Sequence, residues 1–225
     1  IDLHHPFVIV FAVEMDYHVM QKAPRMPVVA ESAEKYLQAG TIAVTMAKFI
    51  RSLGYAARAH TDANYRIIVP AVAQDAGLGE VGRIGLLIHP RYGPRIRLAA
   101  VTTTLPVQLD HPLQFGVQDF CCICKKCATN CPGKAISRGL PRAVRGVTKW
   151  STNQEACYRF WRLAGTDCGM CLRVCPYSKP NTLAHNLVRL AIKSPAARYV
   201  AAWADDLFYG RYPGGAINLP KQNQS

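Results

Sequence analysis

Phe120-Cys-Cys-Ile-Cys-Lys-Lys-Cys-Ala-Thr-Asn-Cys-Pro132, then Cys157, then Cys168-Gly-Met-Cys-Leu-Arg-Val-Cys-Pro176 is the stretch around which the chain is organised. Cys121, Cys124, Cys127 and Cys131 follow C-x2-C-x2-C-x3-C-P. At that spacing three thiolates wrap one cubane iron–sulfur cluster in a loop, and the fourth, ahead of a proline, serves a second cluster. Cys168, Cys171 and Cys175, followed by Pro176, repeat the pattern without its first member, which Cys157 supplies from upstream. The crossing assigns Cys121, Cys124, Cys127 and Cys175 to one [4Fe-4S] cluster, and Cys131, Cys157, Cys168 and Cys171 to the other. A structural zinc closes with four ligands and needs no second proline-terminated triad. Disulfides call for an oxidising compartment and a small loop-rich fold, and neither fits. Cys122 breaks the spacing and reads as a free thiol.

With 225 residues, half of them hydrophobic, the chain can bury a sizeable core. No apolar run reaches the roughly 18 residues of a membrane span. No secretory leader or twin-arginine segment is visible, but the chain opens on Ile1 and reads as a fragment or processed form. The formal charge is +13. Its arginines are scattered rather than blocked, which favours cations balancing buried cluster charge over a nucleic-acid surface.

Phe7–Val13 is a continuous apolar run and predicts a central strand buried on both faces. Glu14–Pro27 reads as a loop. The best helical pattern runs from Glu31 to Leu53, with Ile42, Met46, Phe49, Ile50 and Leu53 on one face and Gly54 as the stop. Tyr55–His60 and Tyr65–Val69 read as strands joined by a turn over Thr61–Asn64. Pro70 opens a short helix that Gly77 ends. Gly77, Gly79, Gly82 and Gly85 then punctuate nine residues, implying tight turning or close approach to a ligand. Leu86–His89 and Arg95–Thr103 complete the strands. Leu183–Trp203 has helical spacing, broken near Pro195, and the last dozen residues read as a turn running into a tail. Alternating strands and helices make residues 1–118 an α/β domain. Residues 119–180 form a separate cysteine module held together by its clusters, and 181–225 a helical segment and tail.

Several blocks carry a resemblance when taken together. They are Ile50-Arg-Ser-Leu-Gly-Tyr-Ala-Ala, Ala76-Gly-Leu-Gly-Glu-Val-Gly-Arg-Ile-Gly-Leu-Leu-Ile, Tyr92-Gly-Pro-Arg-Ile-Arg, Phe115-Gly-Val-Gln-Asp-Phe-Cys and Cys157-Tyr-Arg-Phe-Trp. In this order, from roughly Phe7 to Tyr209, the chain resembles the corrinoid-dependent reductive dehalogenases. The resemblance implies a nitroreductase-like corrinoid-binding domain joined to a two-[4Fe-4S] ferredoxin-like domain, α+β or α/β in class. It also implies that a long N-terminal part of the family, which completes the corrinoid pocket, lies outside this sequence. Epoxyqueuosine reductase joins similar parts, but its Tyr-Gly-Arg-Asp-Tyr-His block does not occur here. A plain electron-transfer iron–sulfur protein is the remaining alternative, and it would need no front domain.

The chemistry implied is reductive removal of halide from a small organohalide, with electrons from a reduced ferredoxin, a flavodoxin or a membrane quinol chain. Nucleic acid is not an expected partner. Catabolic members stay in the cytoplasm and respiratory ones are exported and membrane-attached. The cobalt centre needs a nearby acid, and a neutral phenol in an apolar pocket suits that task, with a cation to stabilise the phenolate. The family's motif places that tyrosine at Tyr36 and the basic residue at Arg97; as a bare residue Tyr36 would read as a core aromatic. Arg95 has the same strand parity as Arg97, so spacing does not separate the two. Asn64 stands where some members carry an active-site amide, and a turn role competes with that reading. Gly77, Gly79, Gly82 and Gly85 are candidates for lying against the corrinoid, with a tight turn as the alternative.

Overall fold

A computed structural model describes residues 4–144 and 147–212. In chain order the first half contains β1 (Phe7–Glu14), α1 (Tyr17–Met20), α2 (Pro27–Ser52), β2 (Ala57–His60), α3 (Val69–Asp75), β3 (Glu80–Val81), β4 (Leu87–Ile88) and β5 (Ile96–Thr103). The second half contains α4 (Val117–Cys124), α5 (Lys126–Thr129), β6 (Arg142–Val144), β7 (Val147–Lys149), α6 (Gln154–Ala164), α7 (Met170–Arg173), α8 (Leu183–Ala191) and α9 (Pro195–Tyr209). The proposed terminal turn and tail, 213–225, lie outside the described residues.

β5 is the centre of the sheet, whose order is β1-β5-β2, and both pairings are antiparallel. This corrects two expectations. Phe7–Val13 is an edge strand rather than a central one, half-buried along its length. The front is α+β, since no parallel crossover joins its strands. The apolar run arises because helices cover both faces: Ile9, Phe11 and Val13 pack on the α2 side, Val10 and Ala12 on the α3 side. Tyr65–Val69 is not a strand. It runs as irregular chain into α3, because Pro70 fixes a helical first turn and β5 already has both neighbours. Glu14–Pro27 contains the short helix α1, capped by the Asp16 carboxylate, which accepts from Val19 N at 2.8 Å.

The long helix exists, but its buried stripe differs from the one expected. Ala39, Ala43, Ala47 and Ile50 face β5 and β2, meeting Ala57, Ala99 and Val101. Phe49 (62% exposed), Ile42 and Leu53 face outward. Alanines let the helix backbone approach the sheet closely, so the small face goes inward although the large residues carry the stronger pattern.

The cysteine segment shares its core with the front. Met15, Met20, Ala23 and Val28 pack with Phe160, Met170, Leu172 and Val174. Ile84, Ile88 and Phe115 pack with Phe120, Tyr177 and Ile192. Apolar contacts therefore support the module alongside whatever its thiols bind. These contacts leave little periodicity to read, because α4, α5 and α7 are each eight residues or shorter. α8 and α9 part at Pro195 as expected, and α9 continues to Tyr209. Among the described residues no helix is long and apolar enough to cross a membrane.

Candidate functional site

Two loops of left-handed backbone set the cysteines. Lys125 (φ 53°) lies between α4 and α5, and Cys168 (φ 60°) precedes Gly169 (φ 68°) at the start of α7. Non-glycine residues rarely adopt this region, and here it turns each loop back on itself. Cys121, Cys124, Cys127 and Cys175 line one small cavity together with Arg83, Phe120 and Tyr177. Burial pushes the Cys121 thiol up to about 12, with the Arg83 backbone hydrogen bond and guanidinium acting against it. Burial raises Cys175 well above the usual thiol range, and the nearby Cys121 and Cys124 add to that. The second set forms a separate group. Burial takes Cys171 up to about 12, reinforced by Cys168, Cys131 and Cys157, and Cys168 up to about 11, reinforced by Cys131, Cys157 and Asp167.

All nine cysteines are free thiols. Among the described residues no three Cys, His, Asp or Glu side chains converge tightly enough for a single metal ion. A cubane holds one thiolate at each of four iron corners, so its ligands stand farther apart than those of one ion. The four soft thiols around the first cavity, and the second four whose charges act on one another, therefore fit a cluster each in chemistry and number. Mutual repulsion among them is what iron would relieve, by replacing their protons.

Buried cations surround the first set. Lys126, between Cys124 and Cys127, pairs with Asp205 of α9 and lies 3.4 Å from Asp206. Lys179 stands 3.7 Å from Asp205. Arg83, 1% exposed, donates to the Cys121 carbonyl from Nε (3.1 Å) and Nη2 (2.9 Å), and from Nη1 to the carbonyls of Ser137 (2.6 Å) and Gly139 (3.0 Å). Its plane lies over the Trp150 ring, 4.7 Å from the centroid.

Tyr36 and Arg97 meet at a second cavity of about 260 Å³. Tyr65, Ile67, Ile68, Pro70, Leu86 and Pro94 are among its walls. Arg97 projects from β5 on the α2 side, and its guanidinium carbon lies 4.7 Å from the Tyr36 ring centroid. Arg97 Nη2 donates to Ser32 Oγ, and Ser32 Oγ donates to Asp167 Oδ2 at 2.7 Å. Asp167 is the residue before Cys168, so a hydrogen-bonded chain joins this cavity to the second thiol set. Arg97 Nε is buried and has no partner among the described residues. Arg95 has a different place. It is 1% exposed and tied to Ser178 O (2.8 Å), Met15 O and Glu14 Oε1 (3.2 Å), so it braces the cysteine segment against β1. Strand parity made the two arginines equivalent, and their partners separate them.

Asn64 points elsewhere: its Oδ1 accepts from Arg58 Nη2 at 3.0 Å on the surface. The next residue, Tyr65, lines the cavity instead, with its hydroxyl donating to Leu98 O at 3.3 Å. Burial, together with Tyr36 and Asp62, pushes the Tyr65 phenol up to about 12. Nothing in the sequence singled out Tyr65, which read as the start of a strand.

The glycine segment is the β3–β4 hairpin. Gly85 N bonds Gly82 O at 3.0 Å to close its turn. A Cβ on Gly79 would stand 2.2 Å from the Ile88 carbonyl oxygen, and one on Gly77 2.5 Å from that of His111. Backbone packing therefore accounts for these two. A Cβ on Gly82 would stand 3.5 Å from Cys121 Sγ, which places the hairpin against the first thiol set. A Cβ on Gly85 (φ +75°) would meet Thr152 Oγ1 at 3.8 Å, an ordinary contact, so its positive φ rather than crowding is what favours glycine there.

No family model matches the chain. It is 38% identical to a tetrachloroethene reductive dehalogenase of Desulfitobacterium hafniense over 213 residues, which is 89% of this chain and 38% of that protein. It superposes on a catabolic reductive dehalogenase solved in complex with 3-bromo-4-hydroxybenzoic acid, with a TM-score of 0.87 and 34% identity, covering 93% of this chain and 31% of that one. A reductive dehalogenase structure described for B12-dependent dehalogenation matches with a TM-score of 0.86 and 33% identity over the same shares. The chain thus spans about two fifths of the length of the curated relative and about a third of the solved ones. Epoxyqueuosine reductase from Streptococcus thermophilus shares the fold more loosely, with a TM-score of 0.53 and 22% identity over 78% of this chain and 50% of that one.

Proposed function

We propose that this chain, which belongs to the reductive dehalogenase family, is the electron-relaying and proton-donating part of an enzyme that removes halide from an organohalide. The observation that carries the reading is the meeting of Arg97 with the Tyr36 ring in a small, mostly apolar cavity. Replacing a halogen by hydrogen consumes two electrons and one proton and releases halide. Eight cysteines in two sets would hold two [4Fe-4S] clusters, each passing single electrons. A bound corrinoid would supply a cobalt ion able to reach a strongly reducing state.

The chain's own residues do the rest. The Tyr36 hydroxyl donates the proton, Arg97 stabilises the phenolate left behind, and Ser32 with Asp167 holds Arg97 in place. Leu86, Ile67 and Pro94 give the reacting carbon apolar walls. The cavity is smaller than the roughly 300–1,000 Å³ usual for cofactor sites, so it suits the organohalide and provides only one wall of a corrinoid site. Gly85, where an added Cβ would meet only Thr152 Oγ1 at 3.8 Å, is the least crowded member of its segment and the best candidate to approach a large ligand. Asn64 would need its Arg58 bond broken to serve the site. Electrons would come from a reduced ferredoxin, a flavodoxin or a quinol chain. A plain electron carrier is the competing reading, and the cavity is the feature it leaves unused.

The test is anaerobic reconstitution of the full-length protein with iron, sulfide and cobalamin, followed by halide release from tetrachloroethene and from 3-bromo-4-hydroxybenzoic acid. Corrinoid absorbance of one per chain with halide release supports the reading. Clusters without corrinoid uptake make the protein an electron carrier.

A further inference from the structure

The cavity of the first thiol set carries two groups that the cysteine spacing does not call for. Tyr177 is 1% exposed, and its hydroxyl has no hydrogen-bond partner among the described residues. Its ring cannot swing away, because it is held edge-on between Phe120 and Phe115, with centroids 5.5 and 6.0 Å away. Its backbone is fixed as well. The carbonyl accepts from Arg189 Nη2 at 3.3 Å, and a Cβ on Gly93 would stand 2.3 Å from that oxygen. Tyr177 therefore stays in the wall of the cavity that Cys121, Cys124, Cys127 and Cys175 line, with its hydroxyl buried. A buried hydroxyl without an acceptor is costly, and such an orphan points to a group that completes the site. Thiolate and sulfide sulfurs accept only, so they suit a rotating O–H donor.

Arg83 is the second group. Its four hydrogen bonds all go to carbonyl oxygens, so no carboxylate neutralises this buried cation through them. It lines the same cavity and clamps the peptide of Cys121 from the β3–β4 hairpin. An uncompensated buried cation is unfavourable on its own and favourable beside an anion.

We propose that Tyr177 Oη donates a hydrogen bond to the sulfur shell of the cluster held by Cys121, Cys124, Cys127 and Cys175, and that Tyr177 and Arg83 together raise that cluster's reduction potential. The proposal rests on the two-cluster reading. Reduction adds one electron and hence one negative charge to the cluster. A donor aimed at the sulfurs and a cation in the same dry space stabilise the reduced form more than the oxidised one. Tyr177 and Arg83 are positioning residues that act on electron delivery and touch no substrate.

Tyr177→Phe tests this with little risk to the fold, since the hydroxyl has no partner among the described residues to lose and the ring contacts remain. Iron is counted first in the unmutated full-length protein, and then both cluster midpoints are measured by potentiometric titration followed by electron paramagnetic resonance. In Tyr177→Phe, with iron unchanged, one midpoint should fall and the other stay. At a fixed applied potential the reduced-to-oxidised ratio of that cluster should drop several-fold, up to about tenfold, where tenfold corresponds to about 59 mV for one electron. Two unmoved midpoints, or two that shift equally, overturn the proposal. If Tyr177→Phe loses iron, Arg83→Met decides by the same readout: a lower midpoint for one cluster supports the proposal and an unchanged pair overturns it. An unmutated protein without iron refutes the two-cluster reading itself, which separates the two failures.

Discussion

Arg97→Met removes the charge over Tyr36 while keeping an unbranched stem in the cavity wall. The guanidinium carbon lies 4.7 Å from the ring centroid. A phenolate's charge is shared between its oxygen and its ring, so the separation is of that order, and at an effective dielectric of about 20 the interaction is worth about 3.5 kcal/mol. The cavity is open to solvent on one side and Arg97 is half-buried, so screening reduces this to about 2 kcal/mol, or about 30-fold in turnover. Tyr36→Phe removes the transferable proton itself, and losing a general acid costs about 10²–10⁴-fold. The two effects should not add. With Phe at position 36 no phenolate forms, so Arg97→Met should then cost less than about threefold, a coupling that a double-mutant cycle isolates. The assay is halide release from tetrachloroethene by the full-length protein loaded with clusters and cobalamin, with iron and corrinoid content matched among all four variants. A similar 30-fold loss in both backgrounds would show that Arg97 acts on substrate or fold, and the acid–cation argument would fail. Full activity in Tyr36→Phe would assign the proton to another group.

Two further outcomes follow from the site. Cys157→Ser should cost one cluster, about half the iron, while Cys122→Ser leaves the iron count unchanged, and iron analysis of the two variants checks both. Tyr65 titrates near 12 in the folded protein against about 10 when unfolded, so the fold holds the proton longer than the unfolded chain does. Between those values stability falls as pH rises. Denaturant midpoints across that window should fall less steeply in Tyr65→Phe, and an identical slope would refute the assignment.

The turns that bring the cysteines of each run together were legible because the x2 and x3 spacings prescribe short loops, and Lys125 and Cys168 turn in left-handed backbone where those loops close. The helix over α2 was legible except for its first turn, residues 27–30, and was misread in orientation. Phe49 and Leu53 dominate any apolar count, yet close packing on β5 favours Ala39, Ala43 and Ala47. Phe7–Val13 looked central because its two faces are covered by α2 and α3, and pattern alone does not distinguish covered faces from paired edges. Arg95 and Arg97 share a parity, and only tertiary partners send one to the Ser178 carbonyl and the other to Tyr36. Tyr65 and Tyr177 were not singled out, and Arg83 stood only inside the glycine-rich block. Each is a common residue whose surroundings come from long-range contacts, such as the 38-residue separation between Arg83 and Cys121.

The central claim is that this chain holds two cubane clusters, and iron with acid-labile sulfide per chain after anaerobic reconstitution tests it most directly. The account predicts about eight iron and about eight sulfide per chain. About four of each, or zinc in their place, would contradict it.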